Sequence, residues 1–349
     1  MKLIAFLALV AASSGACAQW DIQHSGTEAG LRGISSAGPG VAWASGTDGT
    51  VLRTEDGGYL WQRCAVPPGA EKLDFRGVQG WDANNAVVMS SGKGELSRIY
   101  RTTDGCSSWK LVVTNPDADG FWDAISVADQ KTLMILGDPV QGRFVVKNTD
   151  DGGVKWSTER VDLSSAKEGA FAASNSSLIV NWVDDYAFFG TGSPEGARLF
   201  TDCDGCSEKD RGWKARPMPM FAKGESAGIF SIAYADWKRL IAVGGDYRKP
   251  DVVEGTAAWS NDGGKTWNAA QSLPHGFRSA VAYDSATKSW IAVGPNGTDI
   301  SRDEGRNWQP LKPGPGEAAD ADRGWNALGL PFVVGPKGRI GRLRDVSRH

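Results

Sequence analysis

The stretch "SNDGGKTW", residues 260–267, sets a hydroxyl residue, a carboxylate, two glycines and a tryptophan in one short span. Taken alone, such a loop could hold a metal or carry acid–base chemistry. It is not alone. The spacing [ST]-x-D-x-[GC]-x-x-W returns in "TEDGGYLW" (54–61), "TTDGCSSW" (102–109), "TDDGGVKW" (149–156) and "SRDEGRNW" (301–308). A disrupted copy, "TDCDGCSEKDRGW" (201–213), carries extra residues. Features repeated along one chain are architectural, because equivalent active sites in every unit would be implausible. Asp56, Asp104, Asp151, Asp262 and Asp303 are therefore read as turn holders that accept backbone N–H bonds. The glycines supply the positive φ of the turn. Trp61, Trp109, Trp156, Trp267 and Trp308 cover the hairpins with their rings.

The flanks of each copy repeat as well. Runs such as "LRGISSAG", "FRGVQGWD", "WDAISVAD", "FSIAYADW" and "FRSAVAYD" alternate apolar and polar residues, as half-buried strands do. A second strand follows and ends in glycine: "VAWASG", "TLMILG", "LIAVGG", "WIAVG". A third strand leads into the Asp-Gly turn, and a fourth follows the tryptophan. Each unit is a four-stranded antiparallel meander of propeller-blade length. A further unit, "WNALGLPFVVGPKGRIGRLRD", ends near Arg344 with three strands and no box tryptophan. The missing strand is found at the other end of the chain, where "QWDIQHSG" resembles the post-turn strand "WNAAQSLP". The expected fold is a single all-β, seven-bladed propeller closed by the N-terminal strand; six blades is the rival count.

Composition agrees with this reading. The 349 residues include 45 glycines and 15 tryptophans, which suit many tight turns and periodic half-buried rings. A net charge of -3 offers no field for nucleic acid or an anionic membrane. Residues 1–18 read as a secretory signal: Lys2, an apolar "LIAFLALVAA", then small residues ending at Ala18. Modification of Cys17 with lipid is the alternative, although Ser14 stands where such a signal wants an apolar residue. The propeller is expected over residues 19–345, followed by a short tail, 346–349. No later run is long and apolar enough for a transmembrane helix. A periplasmic or secreted location, as a monomer, is expected. Exported cysteines favour bridges, so Cys203 is paired with Cys206 and Cys64 with Cys106. The alternative for "CDGC", a redox pair, wants a following helix in a βαβ setting, and none is visible. Scattered histidines and the absence of nucleotide loops leave no metal or cofactor to expect.

The repeats resemble Asp-box repeats of the bacterial neuraminidase type. An "FRxxxF"-like first strand, a "WAVG"-like second strand and "TxDGGxxW" together resemble the photosystem II stability/assembly factor family of seven-bladed propellers. The resemblance covers residues 20–344. It implies an exported, non-enzymatic assembly factor that holds membrane-protein subunits through an arginine-lined patch on one face. Departures are the irregular fourth blade and the long insert "GDYRKPDVVEGTA" in the fifth.

Propellers bind ligands where loops converge on the channel mouth. Aligning the first strands on their leading apolar residue places Arg32, Arg76, Asp123, Ala172, Ser231, Arg278 and Asn326 at equivalent positions. Three arginines gathered on one ring would suit a carboxylate such as a peptide C-terminus; the competing reading is that they pair with nearby acids. Ser174 and Asn175 of "AFAASNSSL", and Asp246 and Tyr247 of the fifth-blade insert, are further candidates for partner contact. No residue is expected to be catalytic. The expected function is binding of a protein or peptide partner. A glycan-active hydrolase or lectin on the same propeller is the alternative, although a sialidase would want an "F-R-I-P" start that "FRGV" and "FRSA" lack.

Overall fold

The computed structural model describes residues 20–162, 167–183, 186–203, 212–314 and 317–344. These form seven four-stranded antiparallel sheets. Blade 1 comprises Leu31–Ser36, Ala42–Gly46, Val51–Thr54 and Gln62–Arg63, and blade 2 Phe75–Gly80, Ala86–Ser90, Arg98–Thr102 and Lys110–Thr114. Blade 3 comprises Trp122–Val127, Leu133–Val140, Arg143–Thr149 and Ser157–Asp162. Blade 4 comprises Leu178–Asn181, Tyr186–Gly190, Ala197–Cys203 and Lys214–Met218. Blade 5 holds Ala227–Asp236, Arg239–Asp246, Ala257–Ser260 and Asn268–Ala269. Blade 6 holds Ala280–Asp284, Ser289–Gly294, Gly297–Ser301 and Gln309–Leu311. Blade 7 joins Ala327–Gly329, Phe332–Val334 and Ile340–Leu343 to Trp20–Gln23, which pairs antiparallel with the last of them. Among the described residues the only helical element is a 3₁₀ turn at Gly94–Leu96.

Each blade-to-blade junction has its own apolar cluster. Between blades 1 and 2, Trp43 and Val51 meet Phe75, Val88 and Trp109. Between blades 7 and 1, Phe332 and Ile340 meet Leu52 and Trp61. Box tryptophans face the blade before their own. Trp109 stands edge-on to Trp43 with centroids 6.5 Å apart, and Trp61 meets Phe332 at 5.4 Å. Burying such a ring removes roughly 150–250 Å² from water, on the order of 4–6 kcal/mol before ordering costs. The closing strand uses the same device. Trp20 is buried against Ile291 and Val293 of blade 6 and Trp325 of blade 7, and its indole N–H donates to Thr298 Oγ1 at 3.0 Å.

The Asp-Gly turns repeat one hydrogen-bond pattern. Ser260 Oγ donates to Asp262 Oδ1 at 2.9 Å, the same oxygen accepts Thr266 N–H at 2.9 Å, and Gly264 N–H donates to Ser260 Oγ at 2.9 Å. Thr54 with Asp56, Thr102 with Asp104, Thr149 with Asp151, and Ser301 with Asp303 repeat it. At Asp104, the Ser108 hydroxyl, the Ser108 N–H and Thr102 hold the carboxyl down at about 2. The fifth box position is left-handed in every one of these copies. Gly58, Gly153, Gly264 and Gly305 lie at φ 90, 92, 78 and 77, and Cys106 takes the same place at φ 65. Cys106 is bonded to Cys64, which follows the last strand of blade 1, so the bridge ties blades 1 and 2 together. Cys206 and the side chain of Cys203 lie outside the described residues, as do residues 1–18 and 346–349.

Blade 4 departs from the sequence expectation. Its first strand begins only at Leu178, the last residue of "AFAASNSSL". The residues before it cross the centre of the ring and bond to the inner edges of other blades. Asn175 Nδ2 donates to Ile125 O at 3.0 Å, and its Oδ1 accepts Ile125 N–H at 2.8 Å, so one side chain caps the blade 3 backbone on both sides. Ser174 Oγ donates to Ser279 O of the sixth unit at 2.8 Å, and Ser176 O accepts Ile232 N–H of blade 5 at 2.8 Å. Arg76 of blade 2 donates to Ala172 O at 3.1 Å. This crossing segment closes the middle of the ring.

Candidate functional site

A meander reverses direction at every turn. The beginning of each first strand therefore lies at the same end as the loop between second and third strands, and opposite the Asp-Gly turns. At that end, over the crossing segment, lies a bowl of about 530 Å³ lined from all seven units. Arg32, Arg76 and Asp123 stand on its blade 1–3 side, and Asn326 belongs to blade 7. Phe171, Phe230 and Phe277 form the other wall: Phe171 stacks on Phe230 at 3.8 Å, and Phe230 meets Phe277 edge-on at 4.7 Å.

Local geometry explains which side chains reach the bowl. In blades 1, 2, 3 and 5 the first strand carries a register shift, between Leu31 and Gly33, Phe75 and Gly77, Trp122 and Ala124, and Ile229 and Ser231. The skipped residue is Arg32, Arg76, Asp123 or Phe230. A bulge of this kind re-aims one side chain while the ladder continues. The residue before it is core: Leu31, Phe75 and Ile229 are fully buried and Trp122 nearly so.

Alignment on leading apolar residues is thus one residue out of step in blades 5 and 6. In blade 5 the bowl residue is Phe230, and Ser231 lies buried behind it. In blade 6, Arg278 N–H donates to Gly244 O as Leu31 N–H donates to Gly335 O, so Arg278 occupies the core position and Ser279 faces the bowl. Arg278 is 0 % exposed. Its Nε donates to Asp299 Oδ2 at 2.7 Å and its Nη1 to Asn296 Oδ1 at 2.6 Å, while His275 Nδ1 lies 2.8 Å from Asp299 Oδ1. It does not gather with Arg32 and Arg76. The match between "FRGV" and "FRSA" concealed the slip, and no local pattern marks it.

Other candidates divide. Tyr247 stands at the rim, edge-on to Phe230 at 6.1 Å. Asp246 holds its own loop, accepting the Ser226 hydroxyl at 2.7 Å and Arg248 N–H at 3.0 Å. Asn326 lines the bowl while donating to Leu31 O at 2.8 Å, which ties blade 7 to blade 1. Ser174 and Asn175 belong to the crossing segment beneath.

Asp74 serves both arginines. Arg76 Nε donates to its Oδ2 at 2.9 Å. Arg32 Nε lies 3.3 Å from its Oδ1, close enough for ion pairing, yet both of those atoms lack an aligned hydrogen-bond partner. Burial pulls the Arg32 guanidinium below its usual value, and Asp74 draws it back. Sequence reasoning missed Asp138, at the end of the second strand of blade 3, which lines the bowl and accepts Ala170 N–H at 3.0 Å. Burial raises its carboxyl to about 6, and burial with Asp138 nearby raises Asp123 well above the usual range.

No family model matches the chain. Two curated relatives are photosystem II assembly lipoproteins named Ycf48. The one from Picosynechococcus sp. is 26 % identical over 281 residues, covering 68 % of this chain and 74 % of its own length. The one from Synechococcus sp. is 23 % identical over 325 residues, covering 90 % and 85 %. A solved structure described as YCF48 bound to D1 peptide superposes with a TM-score of 0.65 at 17 % identity, over 94 % of this chain and 97 % of that one. The chain is a seven-bladed β-propeller similar in sequence to these photosystem II assembly lipoproteins and alike in fold to the YCF48 structure. An ancestral GH74 enzyme, 12 % identical with a TM-score of 0.63 over 95 % of this chain and 47 % of its own, shares the fold alone. Among the described residues no helix is long and apolar enough to cross a membrane.

Proposed function

We propose that this chain is an exported, non-enzymatic binding protein that holds a peptide or protein partner in the central bowl. The observation that carries this reading is the Arg32–Arg76 pair across the bowl from an aromatic wall, with Arg32 Nε buried and without an aligned partner. A guanidinium held near a carboxylate but not bonded to it can turn to a ligand carboxylate and gain forked hydrogen bonds. The peptide bound in the YCF48 neighbour supports the partner class. The apolar leader supports export, and the lipoprotein names of the relatives support the tethered form through Cys17 over the freely secreted one.

The test is fluorescence anisotropy with labelled peptides that end in a free carboxylate, beside amidated versions. Removing one charge-assisted hydrogen bond should weaken binding roughly ten-fold or more. The Arg32→Ala, Arg76→Ala double variant is expected to bind at least ten times more weakly, with its melting temperature shifted by only about 2 °C. Equal affinity of wild type and double variant for the free-carboxylate peptide would sink the arginine-face reading.

A further inference from the structure

A carboxylate on the arginines would leave part of the bowl's polar lining without a partner. Both arginines already share Asp74, and Arg76 also donates to Ala172 O. Glu225 at the rim faces the exposed Lys167 at 3.4 Å. Asp138 has one oxygen on Ala170 N–H. Asp123 is 1 % exposed, lines the bowl, and its Oδ2 has no hydrogen-bond partner. A buried carboxyl oxygen left unpaired costs about 1–3 kcal/mol. The unmet need in the bowl is therefore for a hydrogen-bond donor as well as for an anion.

We propose that Asp123 and Asp138 form a receptor for a basic side chain, the ammonium of a lysine or the guanidinium of an arginine, carried by the bound peptide. Two carboxyls on one blade offer the oxygens, and Phe121 of the same blade, which also lines the bowl, offers an aromatic ring of the kind on which such cations rest. Arg76, already over the ring of Phe121 at 6.0 Å, shows the same preference within the protein. Burial raises both carboxyls, and a cation placed beside them would favour their charged forms. Arg76, Arg32 with Asp74, and Glu225 with Lys167 are the other charged groups around it. The bowl then reads two charges of one peptide, a carboxylate on blades 1 and 2 and a basic group on blade 3. This deepens the peptide-binding reading and rests on it.

Two measurements separate the two ideas. The first is ¹³C NMR of aspartate-labelled full-length protein titrated with Nα-acetyl-lysine methylamide, and with its norleucine counterpart as the uncharged control. The lysine compound is expected to move the Asp123 and Asp138 carboxyl signals, the norleucine compound to leave them in place, and Asp138→Asn to abolish the response. The second compares a free-carboxylate peptide carrying one lysine with its norleucine version. Wild type should prefer the lysine peptide roughly ten-fold, and Asp138→Asn should reduce that preference to less than about two-fold. Should Asp138→Asn fail to fold, Asp123→Asn serves in its place, with melting curves as the control. Peptides that bind equally well with lysine or norleucine overturn the acid-pair site and leave the arginine face standing. A response to the lysine compound without any peptide binding does the reverse. Carboxyl signals unmoved by the lysine compound overturn the proposal outright.

Discussion

Arg278 shows how far one residue's environment can depart from its type. Guanidinium groups are seldom fully buried unless paired, and here Asp299, Asn296 and the Phe277 carbonyl absorb its donors. The pair is 0 % exposed on both sides. Removing one member of such a pair leaves an uncompensated buried charge, which typically costs about 3–5 kcal/mol. Arg278→Ala is accordingly expected to lower the urea midpoint sharply. Arg32→Ala, on a partly exposed side chain, should change it little. Equal, small losses for both would place Arg278 at the surface after all. The contrast was not legible in the sequence, because "FRGV" and "FRSA" look alike and the strand bulge that separates them leaves no mark in residue type.

Among the elements, the Asp-Gly turn is the unit that the sequence displays best. The bonds that shape the turn are local: a hydroxyl donates to the carboxylate two residues on, and both oxygens accept N–H groups within four residues, so the eight-residue pattern displays the turn. Cys106 provides a test of the backbone requirement. It sits at φ 65 where the other boxes have glycine, and its bridge spans two blades. Loss of such a bridge typically costs about 2–4 kcal/mol. Without it, the position should still prefer glycine. We expect Cys64→Ala, Cys106→Gly to be more stable than Cys64→Ala, Cys106→Ala by about 1 kcal/mol in denaturant titration. The reverse order would mean that the turn has relaxed out of the left-handed region. The crossing segment before blade 4 is the opposite case. Asn175 bonds a backbone fifty residues away, and no local pattern encodes such a partner.

The whole molecule depends on closure. Trp20–Gln23 completes blade 7, and Gln23 accepts the Trp61 indole N–H at 2.9 Å, so the two ends of the ring are joined through blade 1. A chain begun at residue 27 would expose the Ile340–Leu343 edge and the apolar cluster around Trp325. Exposed edges invite pairing with other copies. We expect that shortened chain to melt lower and to form higher-mass species in size exclusion with light scattering. A shortened chain that stayed monomeric with an unchanged melting curve would show that the strand is dispensable.

The number of blades, their meander order, the N-terminal closure and the Cys64–Cys106 bridge could all be read from the chain, because a repeat states the same local rule many times over. What faces the bowl was decided only by tertiary structure. Side chains on a strand alternate with a period of two, so a single bulged residue exchanges core for surface. That exchange puts Phe230 and Ser279 in the bowl and sends Arg278 inside. It leaves Asp123, beside an Asp138 supplied by the neighbouring strand, as a carboxyl still in need of a partner.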